Sequence, residues 1–136
     1  MHVEVRGLNK KFGDFQAVRN VEFAIGKGQL IGLLGPSGGG KTSILRMLAG
    51  LEKPDTGDIL FHGRRVNDLP PQERGIGFVF QNYALFKHMT VAQNIAFGLE
   101  VKKWPKPKIK ERIAELVELT GLAGFEKRYP HQLSGG

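Results

Sequence analysis

Residues 35–42, Gly35-Pro36-Ser37-Gly38-Gly39-Gly40-Lys41-Thr42, place four glycines, a lysine and two hydroxyl side chains directly behind the apolar run at 29–34. Glycine loses more conformational freedom on ordering than any other residue, so such a density implies that the backbone itself is needed. Anion binding is the chemistry that needs it. A loop with few Cβ atoms can curl until successive N–H groups converge on one phosphate. The spacing fits G-x-x-x-x-G-K-[ST] at every fixed position, with a strand expected before it and a helix after it. A helix beginning near Lys41 adds the positive end of its dipole. Lys41 reaches the outer phosphates as a point charge. The Thr42 hydroxyl, followed by Ser43, can ligate a Mg²⁺ that bridges them. A glycine-rich turn that binds nothing is the competing reading.

The elements that must position this loop follow from the patterning. Residues 2–8 and 17–25 alternate apolar and polar side chains and read as strands. Gly26 and Gly28 punctuate the turn after them. The nearly continuous apolar run 29–34 predicts a strand buried on both faces of a parallel sheet. A helix follows over 41–50, with Ile44, Leu45 and Leu48 as its core face and Gly50 as its stop. Residues 52–57 read as a turn, 58–63 as a short strand, and 75–80 as another buried strand with Gln81 at its end. Residues 90–100 read as a helix capped by Thr90. The two prolines of 102–107 predict a loop, and 108–122 predict an amphipathic helix with Ile109, Ile113, Leu116, Val117 and Thr120 on one face. The fold class is α/β, with two strand hairpins expected ahead of the central strand–turn–helix.

Composition narrows the partners. A chain of 136 residues is one domain, and a hydrophobic share of 40% allows a core. Cysteine is absent, which excludes disulfides, thiolate metal sites and cysteine nucleophiles. The N-terminal stretch has no apolar signal-peptide region, and no apolar run approaches a membrane span, so a cytosolic location is expected. The net charge of +7 by itself admits nucleic acid, an anionic membrane surface or a phosphate ligand. The densest basic run, 102–112, contains only one aromatic, Trp104, where a nucleic-acid groove would interleave several. No nucleic-acid partner is expected.

Phe12, the loop at 35–42, Gln81 and Leu133-Ser134-Gly135-Gly136, in that order, resemble the nucleotide-binding subunits of ATP-binding cassette (ABC) transporters. The resemblance covers the whole chain. It implies a P-loop NTPase core with an N-terminal antiparallel β subdomain over 1–81 and a helical arm over 82–136. It implies ATP and Mg²⁺ as ligands and residues 35–42 as the Walker A loop, with Gly39 standing where Ser is more usual. Gln81 would be the glutamine that touches Mg²⁺ or a water, and Ser134, Gly135 and Gly136 would belong to the family signature. Lys41, Gln81 and Ser134 would carry the chemistry and Thr42 and Gln81 the metal. Phe12 would stack on adenine, with Phe15 as a competing candidate and Val18 either under the base or simply core.

Residues 80–99 resemble the importer branch, and within it the sulfate and thiosulfate importers. There the stretch packs under a coupling helix of the transmembrane permease, so Tyr83–Met89 are the expected contact, or else local core. The other partner implied is a second copy, head to tail, at the cytoplasmic face of the membrane. DNA-repair and chromosome ATPases insert coiled coils or zinc modules between glutamine and signature, and neither heptads nor cysteines occur here. The family continues past its signature with a strand ending in Asp-Glu and a switch histidine. The chain is therefore expected to be an N-terminal portion, incomplete at its C-terminus and without ATP turnover by itself. An inactive nucleotide-binding fragment, or an importer ATPase for another solute, is the alternative.

Overall fold

Alternation near the N-terminus produces a hairpin in which β1 (Val3–Phe12) and β2 (Phe15–Ile25) pair antiparallel, Val3 opposite Ile25 and Phe12 opposite Phe15. In this computed structural model, which describes residues 2–134, the chain forms two compact units, one ending at Phe78 and the other beginning at Val79. The hairpin organises the first. β3 (Thr56–Phe61) pairs antiparallel with the free edge of β1, and β4 (Arg64–Arg65) pairs with β3, giving the order β2-β1-β3-β4. The two residues between β3 and β4, His62 and Gly63, have φ of 52° and 78°, the left-handed pair a tight hairpin needs. One hairpin precedes the glycine-rich loop and the second follows the helix after it, which corrects the expectation of two hairpins ahead of it.

That helix, α1 (Lys41–Ala49), turns Ile44 and Met47 into a core made with Val5, Leu8, Val18, Ile59, Phe61 and Val66. Leu8, Met47 and Ile59 are wholly excluded from solvent. The helix stops where expected. Gly50 takes φ 77°, its N–H donates to Met47 O at 3.1 Å, and Leu51 N–H donates to Arg46 O at 2.9 Å. A Cβ on Gly50 would lie 2.6 Å from Nε of Arg74, so glycine also makes room for that guanidinium.

Arg74 is buried without a carboxylate against it. It is 7% exposed and donates to four carbonyls: Met47 O (2.7 Å), Leu48 O (3.0 Å), Leu69 O (2.9 Å) and Asn67 O (3.2 Å). Burial pushes its pKa down from the ordinary arginine value, and Asp68 opposes that shift. Asn67 extends the network, accepting from Ile59 N–H at 2.8 Å and donating to Gly57 O at 3.0 Å. One cation thus ties the C-terminus of α1 to the loop behind β4.

Two expected strands are not formed. Residues 29–34 lie outside the sheet; Leu30 and Leu34 are 98% and 97% exposed, and only Leu33 packs against the core. Residues 75–80 also lie outside the four-stranded sheet. An apolar run supplies strand propensity, but a strand exists only where a neighbouring backbone completes a ladder and other elements cover its faces.

In the second unit Thr90 caps α2 (Val91–Val101). Its hydroxyl accepts from Gln93 N–H at 3.3 Å, and the Gln93 side chain accepts from Thr90 N–H at 2.8 Å. α3 (Lys106–Leu119) starts inside the expected loop, because Pro105 is its cap and Pro107 lies in its first turn. Proline lacks an N–H, and the first turn does not need one, so these prolines open a helix instead of prolonging a loop. Ile109 and Val117 are buried as the amphipathic pattern predicts. Thr120 is exposed at the C-cap, where its hydroxyl donates to Leu116 O at 2.7 Å, so it leaves the apolar face.

Replacing Arg74 by Met takes a donor from four carbonyls; Met47 O keeps the Gly50 N–H, while those of Leu48, Asn67 and Leu69 lose their partner. At about 1–3 kcal/mol per buried group left unpaired, the variant loses at least about 3 kcal/mol. Urea unfolding followed by circular dichroism measures this.

Candidate phosphate-binding site

The glycine-rich loop is built from its own backbone. Gly39 N–H donates to Pro36 O at 3.1 Å, and the Lys41 ammonium donates to Gly35 O at 2.8 Å and Pro36 O at 2.5 Å. A Cβ on Gly39 would fall 2.9 Å from Pro36 O, so glycine at this position relieves a contact that serine would make in this loop shape. Gly38 and Gly40 sit at φ 77° and 79°. Gly40 is more constrained, because a Cβ there would fall on the Ala17 carbonyl oxygen and lie 3.2 Å from the Val18 side chain. The loop can rest on β2 only where it has no side chain.

Gly40 is also the N-cap of α1. No side chain caps that helix, and no acidic residue occupies its first turn. The first N–H groups of a helix have no partner within it, so here they point at whatever anion enters. They open on a cavity of about 190 Å³ lined by Phe12, Phe15, Ala17, Gly38, Gly39, Gly40, Lys41, Thr42 and Ser43. Phe12 and Phe15 are 46% and 58% exposed and face each other across the β1–β2 turn. Two aromatic rings thus flank a cradle of backbone donors, an arrangement with an apolar platform and an anion end.

Most of the residues singled out from sequence meet here; others do not. Gly35, Pro36 and Ser37 lead into the cavity and are exposed. Val18, expected either under the base or in the core, is 3% exposed, belongs to the core cluster with Ile44 and Met47, and does not line the cavity. Gln81 and Ser134 belong to the second unit, both exposed. Gly135 and Gly136 lie outside the described residues. Ala17 was not singled out from sequence, since a small residue opening a strand carries no signal of its own. The Thr42 hydroxyl is an exposed oxygen at the cavity, a fitting ligand for Mg²⁺, which takes few protein oxygens and completes its shell with phosphate and water. Among the described residues no three His, Cys, Asp or Glu side chains are grouped to hold a metal by themselves.

In the second unit, the segment before α2 is exposed and apolar. Tyr83 is 72% and Leu85 53% exposed, and Tyr83 and Ala84 both take positive φ, 63° and 50°. Asn94 of α2 holds the segment. Its amide donates to Phe86 O, Met89 O and Thr90 O at 3.0–3.1 Å, and its oxygen accepts from Phe86 N–H at 3.0 Å. Phe86 lies against Phe97 with ring centroids 4.5 Å apart and ring planes tilted by 48°. Tyr83, Leu85, Val91, Asn94, Leu122 and Leu133 line a groove of about 430 Å³ that also reaches Ser134.

A strand hairpin, an uncapped helix behind a G-x-x-x-x-G-K-[ST] loop and a helical second unit define a class of phosphate-loop proteins. A sequence model of the family described as "ABC transporter" matches residues 18–136, and the chain belongs to that family. Over all 136 residues it is 58% identical to the "Sulfate/thiosulfate import ATP-binding protein CysA" of Thermosynechococcus vestitus, covering 40% of that protein. It is 58% identical, also over 136 residues, to the protein of the same name in Gloeobacter violaceus, again 40% of its length. The Mycobacterium tuberculosis protein of that name is 54% identical over 134 residues, 98% of this chain and 38% of the relative. The chain thus spans about two fifths of the length of these relatives. Its fold matches the ATP-binding cassette MJ0796, solved as a dimer in a post-hydrolysis state with ADP and Pi, at a TM-score of 0.83 and 29% identity, covering 97% of this chain and 63% of that one.

Gly38→Ala and Gly40→Ala separate conformation from contact, since both sites have nearly the same φ. At Gly38 a Cβ meets nothing within 4 Å, so the cost is the left-handed backbone alone, about 1 kcal/mol. At Gly40 the clash with β2 adds to it, for a total of about 3 kcal/mol. Chemical denaturation of both variants, side by side, reads the difference.

Proposed function

We propose that the chain is the nucleotide-binding part of an ATP-driven import subunit. The observation that carries this reading is the uncapped N-terminus of α1, opening with the Gly38–Ser43 backbone on a cavity beside Phe12 and Phe15. The triphosphate lies in the loop, and the N–H groups of Gly38 to Ser43 donate to its oxygens. Lys41 releases a loop carbonyl and turns its ammonium to the outer phosphates. Phe12 stacks on adenine, with Phe15 at the rim. Thr42 is the residue at this cavity that would hold Mg²⁺; when bound, the ion would neutralise charge on the outer phosphates.

ATP hydrolysis belongs to the whole protein acting as a head-to-tail dimer, in which the signature that includes Ser134 would complete the nucleotide site of the other copy. The dimeric state of MJ0796, with ADP and Pi bound, supports this assembly. Sulfate or thiosulfate is the transported class, on the strength of 54–58% identity to relatives so named. The exposed segment Tyr83–Met89, braced by Asn94, is the surface for the transmembrane permease. No helix among the described residues is long and apolar enough to cross a membrane. The subunit sits peripherally at the cytoplasmic face, on that permease.

Isothermal titration with Mg-ATP tests the site. Lys41→Ala is expected to abolish measurable binding. Phe12→Ala is expected to weaken it about ten- to hundred-fold, the scale of losing one base–aromatic stack. Unchanged affinity in Lys41→Ala refutes the assignment. For the substrate, uptake by the full-length protein reconstituted with its permease should respond to sulfate or thiosulfate; a response to another solute, with none to these, refutes that part.

A further inference from the structure

The ring of Phe12 has two faces, and a cation already covers one of them. Lys10 lies two residues earlier on β1, on the same side of the strand, and its Nζ stands over the ring, 5.2 Å from the centroid. The ammonium is held in place. It donates to Glu52 Oε1 at 2.8 Å and to Lys53 O at 2.8 Å, with Asp55 Oδ1 at 3.6 Å, and the side chain is only 12% exposed. Asp55 is anchored in turn, accepting from Lys11 N–H at 2.7 Å. The turn after α1 therefore grips β1 through the Lys10 ammonium and through Asp55.

We propose that Lys10, clamped by Glu52, is a positioning residue for Phe12 that fixes the plane of its ring and leaves the opposite face as a platform for a purine base. This rests on the nucleotide-binding reading given above. A cation within about 6 Å of an aromatic centroid is attracted to the ring's negative face. It also draws electron density toward itself and leaves the far face poorer in electrons. Such a face stacks best on a large, electron-rich π system, so adenine gains more from it than cytosine does. Among the described residues no cation lies over Phe15, which is the more exposed of the two rings. Hydrogen bonding to Lys10 holds the Glu52 carboxyl below the usual carboxylate range, and the pairing pushes Lys10 up, so both stay charged at neutral pH.

The test compares ATP, CTP and inorganic tripolyphosphate, each with Mg²⁺, on the unaltered chain and on Lys10→Met, Lys10→Arg and Glu52→Gln. Lys10→Met should lose about two- to five-fold in ATP affinity, less for CTP, and nothing for tripolyphosphate. Lys10→Arg, which keeps a cation over the ring, should retain ATP affinity. Glu52→Gln, which loosens the clamp without emptying it, should show the same ATP-only loss and serves if Lys10→Met does not fold. Equal losses for ATP and tripolyphosphate would mean that the loop itself was disturbed, and would overturn the proposal. So would an ATP affinity untouched in folded Lys10→Met. Failure of the underlying reading looks different: the unaltered chain then binds neither ATP nor tripolyphosphate, and this inference falls with it.

Discussion

The contact between Gly40 and the backbone of β2 is the constraint on which the first unit depends. A helix can present its free N–H groups to a ligand only if its first turn is held at a fixed height above the sheet. Here the last glycine of the loop rests against the Ala17 carbonyl, with no room for a Cβ, and Val18 fills the space below. Ile44 and Met47, one turn on, then enter the core together. The loop's glycines therefore have different reasons. Gly40 is required by packing and by its φ, Gly38 by its φ, and Gly39 by the nearby Pro36 carbonyl.

The two ends of α1 are treated in opposite ways. At the C-terminus, Gly50, Leu51 and Arg74 supply donors to the carbonyls of Arg46, Met47 and Leu48. At the N-terminus nothing is supplied, although Ser43 is close by and Thr90 shows that this chain makes a full capping box elsewhere. Leaving donors open at one end while pairing the Arg46, Met47 and Leu48 carbonyls at the other gives a helix that is anchored and reactive to anions at once. Asn94 has a comparable task in the second unit. Its amide satisfies the carbonyls of a segment whose side chains remain exposed, so the segment keeps a shape while offering an apolar surface.

Much of this was legible in the residues. The loop motif, the Gly50 stop and the Thr90 cap are local rules and appear where the pattern puts them, as do β1 and β2, although β1 runs on to Phe12 and β2 begins at Phe15, beyond the expected 2–8 and 17–25. The start of α3 differs from the pattern because Pro105 and Pro107, breakers inside a helix, are openers at its first turn. Thr120 was placed on the apolar face by its spacing, but its hydroxyl found a carbonyl at the helix end. Residues 29–34 have the composition of a buried strand and lie outside the sheet, since composition cannot provide the neighbouring strands.

By itself the sequence determined the class of ligand the loop is suited to and the local conformation around it, because both depend on residues adjacent in the chain. Only the tertiary structure decided how that loop is held. The Ala17 carbonyl under Gly40, the Arg74 guanidinium on the end of α1 and the Lys10 ammonium over Phe12, gripped by Glu52, join residues that are mostly distant in sequence. Each depends on exact distances between backbones or charges, and those exist only once the sheet and helix have packed.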